Sequence, residues 1–202
     1  MASKQRVTVY AASSQALAPT YFDIAARLGR ALAEAGHPIV YGGGGTGLMG
    51  AMADAALAAG GEVHGIIPEF LMNMEKGHQG LTTLDVVPDM RERKHRMLQN
   101  SCAVVTLPGG CGTFEEVFEA MTLKRLGQYF GPIVLVNSDG YYDLLLEFLR
   151  HSVRERFMAE AHLDLWHSVE RPETVPEALA TLEPWSHDAL KFAGVSADES
   201  AR

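Results

Sequence analysis

The stretch Leu107-Pro108-Gly109-Gly110-Cys111-Gly112-Thr113-Phe114-Glu115-Glu116 decides the reading of this chain. Ahead of it lies Cys102-Ala103-Val104-Val105-Thr106-Leu107, a continuous apolar run that reads as a buried strand. Behind it, Val117-Phe118-Glu119-Ala120-Met121 continues as a helix. Glycines at a strand-to-helix turn let the backbone approach a ligand closely. The free N–H groups and the positive end of the helix dipole make that turn a candidate phosphate cradle. Glu115 and Glu116 stand just behind it. A carboxylate beside a bound phosphate is repelled by it, whereas one turned toward a sugar hydroxyl or a glycosidic carbon has a task there. The competing reading is that two glutamates in a first helical turn simply complement the dipole.

Outward from this turn, strand and helix patterns alternate. Strands are expected over 7–11, 39–41, 63–67, 83–87, 102–107 and 132–136, with Pro68 ending the third. Helices are expected over 21–35, 48–59, 89–100, 113–126 and 141–157. Asp89 is the N-cap of the third helix, with Glu92 in capping-box position. From Pro172 onward one short helix and a frayed polar tail are expected. This alternation predicts a single-domain α/β fold over 1–185, a parallel sheet with helices on both faces, followed by a polar tail over 186–202. Ligands of such folds bind beyond the carboxyl ends of the strands. Both glycine-rich turns of the chain fall there.

Composition sets outer limits. The 202 residues suit one domain with a sizeable core, and 47% hydrophobic with 21% charged residues is ordinary for a globular protein. A formal charge of −8 speaks against a general nucleic-acid binder. Cys102 and Cys111 are too few for a disulfide framework, and no metal-ligand spacing surrounds them. A cytoplasmic location is therefore expected. The polar start, Met1 to Arg6, carries no signal peptide, and no apolar run is long enough to span a membrane.

Three other segments carry candidate chemistry. Gly42-Gly43-Gly44-Gly45-Thr46-Gly47-Leu48-Met49-Gly50 contains G-x-G-x-x-G between a strand and a helix. The second strand feeds it, and the acidic residue expected downstream, Glu69, sits beside Pro68. A nucleotide-facing wall fits better than a dinucleotide site; tight strand–helix packing is the structural alternative. Met90-Arg91-Glu92-Arg93-Lys94-His95-Arg96-Met97 is a basic helix in an acidic protein. Met90, Met97 and Leu98 mark its buried face, flanked by Arg93 and Lys94, and this is the place for an anion unless the charges only solvate a surface. Glu75 and His78 lie in an irregular polar segment.

Together these segments resemble the LONELY GUY (LOG) family, the cytokinin riboside 5′-monophosphate phosphoribohydrolases, often labelled lysine decarboxylase-like. The resemblance covers residues 7–170. The family's P-G-G-x-G-T-x-x-E is met by Pro108, Gly109, Gly110, Gly112, Thr113 and Glu116. Its R-K pair is met by Arg93 and Lys94 after Asp89 and Met90. The turn Gly42-Gly43-Gly44, the pair Glu75 and His78, and Asp139-Gly140-Tyr141-Tyr142 are also of the family type. Two departures stand out. Ala11-Ala12-Ser13-Ser14 lacks the family's usual glycine, and Thr122-Leu123-Lys124-Arg125 lacks the usual tryptophan.

The resemblance implies a Rossmann-like homodimer that cleaves the N-glycosidic bond of AMP or N6-prenylated AMP, with no cofactor and no metal. It implies Arg93 and Glu116 as the catalytic pair. Gly109, Gly110, Gly112 and Thr113 would cradle the 5′-phosphate. Glu75, Met90, Lys94, Glu115, Thr122, Gly43 and Gly44 would line the nucleotide site. Three rival readings remain: a molybdenum-cofactor carrier, which needs no Arg93–Glu116 pair, an NAD(P)-dependent enzyme using the first glycine turn, and a nucleotide sensor.

Overall fold

Alternation inside the apolar runs builds both halves of the core. In β1 (Arg6–Tyr10), Val7 and Val9 face one side of the sheet and Tyr10 the other. In β5 (Ser101–Thr106), Ala103 and Val105 oppose Val104; in β6 (Ile133–Val136), Val134 and Val136 oppose Ile133 and Leu135. Strands that are apolar on both faces have to be covered on both. One cover is α1 (Pro19–Glu34) with α2 (Gly47–Ala58), through Leu28, Leu32, Met52 and Ala56. The other is α3 (Met90–Leu98), α4 (Cys111–Arg125) and α5 (Asp143–Arg154), through Met97, Val117, Met121, Leu146 and Leu149. The computed structural model describes residues 6–72 and 74–194.

β2 (Ile39–Tyr41), β3 (Val63–Pro68), β4 (Thr83–Val87) and β7 (His167–Val169) complete a seven-stranded sheet of order β4-β3-β2-β1-β5-β6-β7. Every neighbouring pair is parallel, with Val9 opposite both Tyr41 and Val105. The chain fills one side of β1 from β2 to β4, then crosses to β5 on the other side. The reversal leaves a crevice beyond the carboxyl ends of β1 and β5, where open α/β sheets bind ligands.

The expected single α/β layer arrangement is present, with local differences. β3 continues through Pro68, which pairs with Val87, instead of stopping before it. The helix expected over 141–157 is shortened at both ends: Asp139 and Gly140 take left-handed φ values of 54 and 69° before it, and Arg156 takes 65° after it. Asp89 caps α3 through Glu92 N–H at 2.9 Å, but the Glu92 carboxylate turns to Arg96 rather than closing a capping box. α6 (Val175–Thr181) supplies the short helix after Pro172. Beyond it Trp185 N–H bonds to Phe130 O at 2.8 Å and Ala189 is fully buried. The rest of the expected tail, 195–202, and the polar start at 1–5 lie outside the described residues. Among the described residues no helix is long and apolar enough to cross a membrane.

Candidate active site

The crevice at the sheet's reversal is a cleft of about 420 Å³. Residues 11–14 after β1, Gly42 after β2, Leu71 and Glu75 beyond β3, Met90 and Arg93 of α3, and residues 110–113 with Glu116 of α4 line it. The chemistry therefore comes from loops and helix starts that the parallel strands aim at one point.

The second glycine turn is open to the cleft. Gly110 is the N-cap of α4, and a side chain at Gly110 or Gly112 would meet nothing within 4 Å. No N–H of residues 109–113 donates to an acceptor among the described residues. Unpaired donors at a helix start are suited to hold an anion. Gly109 itself lies behind the lining; a Cβ there would fall 2.1 Å from Thr113 Oγ1, so glycine is needed for close packing.

The first glycine turn does something else. The N–H groups of Leu48 and Met49 at the start of α2 are both taken by Ala12 O, at 2.9 and 3.3 Å. That helix start is thus closed to a phosphate, and with it the dinucleotide-type use of the turn. Gly45 N–H bonds to Glu75 O and Lys76 O, and His78 N–H to Gly43 O at 2.9 Å. Gly43 and Gly44 accordingly brace the Glu75 segment from behind and do not line the cleft, whereas Gly42 does. His78 points away as well, its Nε2 lying 2.9 Å from Asp54 Oδ1.

Arg93 is 4% exposed, far deeper than a flanking position on a basic helix implies. Its Nη2 donates to Gly42 O at 3.0 Å and reaches Glu75 Oε2 at 3.4 Å. Its buried Nε has no hydrogen-bond partner among the described residues. A Cβ on Gly42 would lie 1.9 Å from Nη2, so this contact exists because position 42 has no side chain. Gly42→Ala is expected to lower kcat by about tenfold or more through this displacement, with an unchanged circular dichroism spectrum as the check on folding. Gly42 was not singled out by sequence; its partner is on a distant helix, and no local signal marks it.

Glu116 is 8% exposed, and its carboxyl forms no hydrogen bond or ion pair within the described residues. Burial pushes its carboxyl up to about 7; Arg93 opposes that rise, and Glu115 and Glu75 add to it. Burial also raises Glu75, with Arg93 pulling it back down. A carboxyl that titrates near neutrality at a cleft wall suits proton transfer.

Lys94, Glu115 and Thr122 are placed elsewhere. Lys94 pairs with Glu115 and, at 3.0 Å, with Glu119, bridging α3 and α4 on the face away from the cleft lining. Thr122 is exposed farther along α4. Lys124 and Arg125, the departures from the family pattern, are used internally. Lys124 Nζ donates to Leu165 O at 2.9 Å and lies 5.3 Å from the Trp185 ring centroid, and Arg125 Nη1 donates to Ala193 O. Burial lowers the Lys124 amine to about 8.

Known proteins resemble this chain in sequence and in fold. The family described as "possible lysine decarboxylase" matches residues 49–179. A cytokinin riboside 5′-monophosphate phosphoribohydrolase of Rhodococcoides fascians is 44% identical over 156 residues, 77% of this chain and 79% of its own. A probable enzyme of the same name from Oryza sativa subsp. japonica is 42% identical, over 81% of this chain and 72% of its own. Among solved structures, the molybdenum cofactor carrier protein of Chlamydomonas reinhardtii superposes with a TM-score of 0.69, covering 88% of this chain and 97% of that one. At 21% identity that likeness speaks for the fold alone. With Arg93 and Glu116 set across one cleft and the family match spanning most of the sheet, the chain belongs to the LONELY GUY family.

Proposed function

We propose that this chain is a nucleoside 5′-monophosphate phosphoribohydrolase, acting on AMP or its N6-prenylated form. Water adds to the ribose anomeric carbon, the N-glycosidic bond breaks, and free base and ribose 5-phosphate leave. The observation that carries this reading is Glu116, a buried carboxyl with no internal hydrogen bond, one helical turn beyond an open anion cradle. A 5′-phosphate seated on the N–H groups of residues 109–113 puts the ribose beside that carboxyl, because a turn of helix rises only about 5 Å.

In this reading the ionised Glu116 accepts a proton from the attacking water, and its charge favours the oxocarbenium-like state that forms as the base departs. Arg93 holds Glu75 and keeps a positive charge opposite Glu116. The family description does not fit the cleft literally: among the described residues no lysine lines it, and the buried Lys124 is tied to Leu165 O. A carrier role is supported by fold likeness only.

The proposal includes a cytoplasmic homodimer. Both cysteines are free, which suits a reducing compartment. Glu115, Phe118 and Thr122 form an exposed stripe along α4, and Phe118 is 37% exposed. A second copy on this face would give Glu115 and Thr122, which the single chain leaves outside its cleft, a site to serve. Light scattering of the purified protein checks the dimer. Chromatography of incubations with AMP, N6-isopentenyl AMP and the matching nucleosides checks the reaction. Free base from the monophosphates and none from the nucleosides is the expected pattern, and the ratio of the two rates gives the preferred base.

A further inference from the structure

The segment Asp139-Gly140-Tyr141-Tyr142 lines no part of the cleft, yet both tyrosines reach the glycine turn that forms its cradle. Tyr142 OH donates to Leu107 O at 2.6 Å, and Tyr141 OH donates to Gly109 O at 2.7 Å. The two bonds bracket Pro108, a residue with no N–H of its own. Left-handed backbone at Asp139 and Gly140 turns the chain so that successive side chains meet carbonyls two residues apart.

The geometry has a direct electrostatic consequence. In a trans peptide the C=O of one residue and the N–H of the next point in opposite directions. With Gly109 O drawn toward Tyr141, the N–H of Gly110 is driven the other way, toward the cleft that Gly110 lines. The tyrosines are themselves fixed. Tyr142 is 1% exposed, and its N–H donates to Asn137 Oδ1 at 2.6 Å. Tyr141 packs edge-on against Tyr142 and against Tyr21 of α1, with centroids 5.0 and 5.9 Å apart.

We infer that Tyr141 is a positioning residue: its hydroxyl holds the Gly109 carbonyl outward, orients the Gly110 N–H for the 5′-phosphate, and thereby sets the preference for phosphorylated over unphosphorylated nucleosides, while Tyr142 anchors the start of the turn through Leu107 O. This rests on the phosphate-first reading of the site. A phenylalanine keeps the ring packing and removes only the bond to the turn.

The test is calorimetric titration with AMP and with adenosine, made in the Glu116→Gln background so that AMP is not consumed, of that protein and of its Tyr141→Phe and Tyr142→Phe variants, with a thermal melt of each. Tyr141→Phe is expected to bind AMP about five- to tenfold more weakly, as for loss of one hydrogen bond, with adenosine affinity unchanged; Tyr142→Phe, whose bond meets a peptide without an N–H, is expected to discriminate less between the two ligands. Equal weakening for both ligands in Tyr141→Phe, or none, overturns the inference. Tyr141 is partly exposed, so its variant decides the matter if Tyr142→Phe fails to fold. Wild type that binds AMP without cleaving it defeats the hydrolase reading and leaves this result standing. A Glu116→Gln protein that binds AMP no better than adenosine defeats the cradle and the inference together.

Discussion

Glu116→Gln is expected to lower turnover of nucleoside monophosphates by about 10²–10⁴-fold with little change in KM, and to stabilise the protein at alkaline pH. Both effects come from one carboxyl. It faces the cleft, is 8% exposed, and titrates near 7 because burial penalises its charge. If its ionised form accepts the proton from water, kcat of the wild type falls about tenfold per pH unit below that value.

The stability effect has the opposite sense. The folded protein retains this proton up to about 7, while the unfolded chain releases it near the ordinary 4.5. Folding therefore takes up a proton between these values, and stability attributable to this group falls as pH rises from 4.5 to about 7. Above that range the ionised carboxylate costs on the order of 3 kcal/mol. The neutral amide of glutamine avoids that cost and breaks no internal hydrogen bond of Glu116. Urea denaturation of both proteins at about pH 8 and about pH 5 reads the difference. A variant no more stable than wild type at the higher pH would show that the carboxylate is better solvated than its burial implies.

Arg93→Met is expected to be the most destabilising single change in the cleft, by roughly 3–5 kcal/mol near pH 8. Arg93 is the cation between two partly or fully buried carboxyls, Glu75 at 3.4 Å and Glu116. Without it both are left buried with like charge opposite. The variant's folded state then holds protons on these carboxyls to higher pH than wild type does, so part of the loss returns as pH falls to about 7, where Glu116 of wild type itself titrates. Turnover is expected to be lost at every pH, because the guanidinium that lines the cleft is gone. A destabilisation independent of pH would instead assign Arg93's contribution to packing and to its bond with Gly42 O.

The central strands and the cradle were legible because their signals are local. β1, β5 and β6 are short apolar runs, and the turn at Gly109–Thr113 carries its own glycines and helix start. β7 had no such signal: His167, Ser168 and Val169 are three residues at the sheet edge, two of them exposed, held by pairing with β6. Arg93 and Glu116 could be read as a pair, but not Arg93's depth, which depends on Gly42 and Glu75 from distant segments.

Neighbouring residues on a helix point about 100° apart. Where Arg93 and Glu116 turn inward, Lys94 and Glu115 turn outward and meet each other. A motif read as letters puts all four in one site, and helical geometry divides them between two faces. The same applies to the first glycine run: Gly42 touches the cleft, while Gly43 and Gly44 hold the Glu75 segment behind it.

The most direct measurement is a quantitative product analysis of AMP incubated with wild type and with Glu116→Gln. Free adenine and ribose 5-phosphate in a one-to-one ratio, formed by wild type and not by the variant, is the result this account predicts. Intact AMP after prolonged incubation with wild type, under conditions where it binds, would contradict it and leave a nucleotide-binding protein without this chemistry.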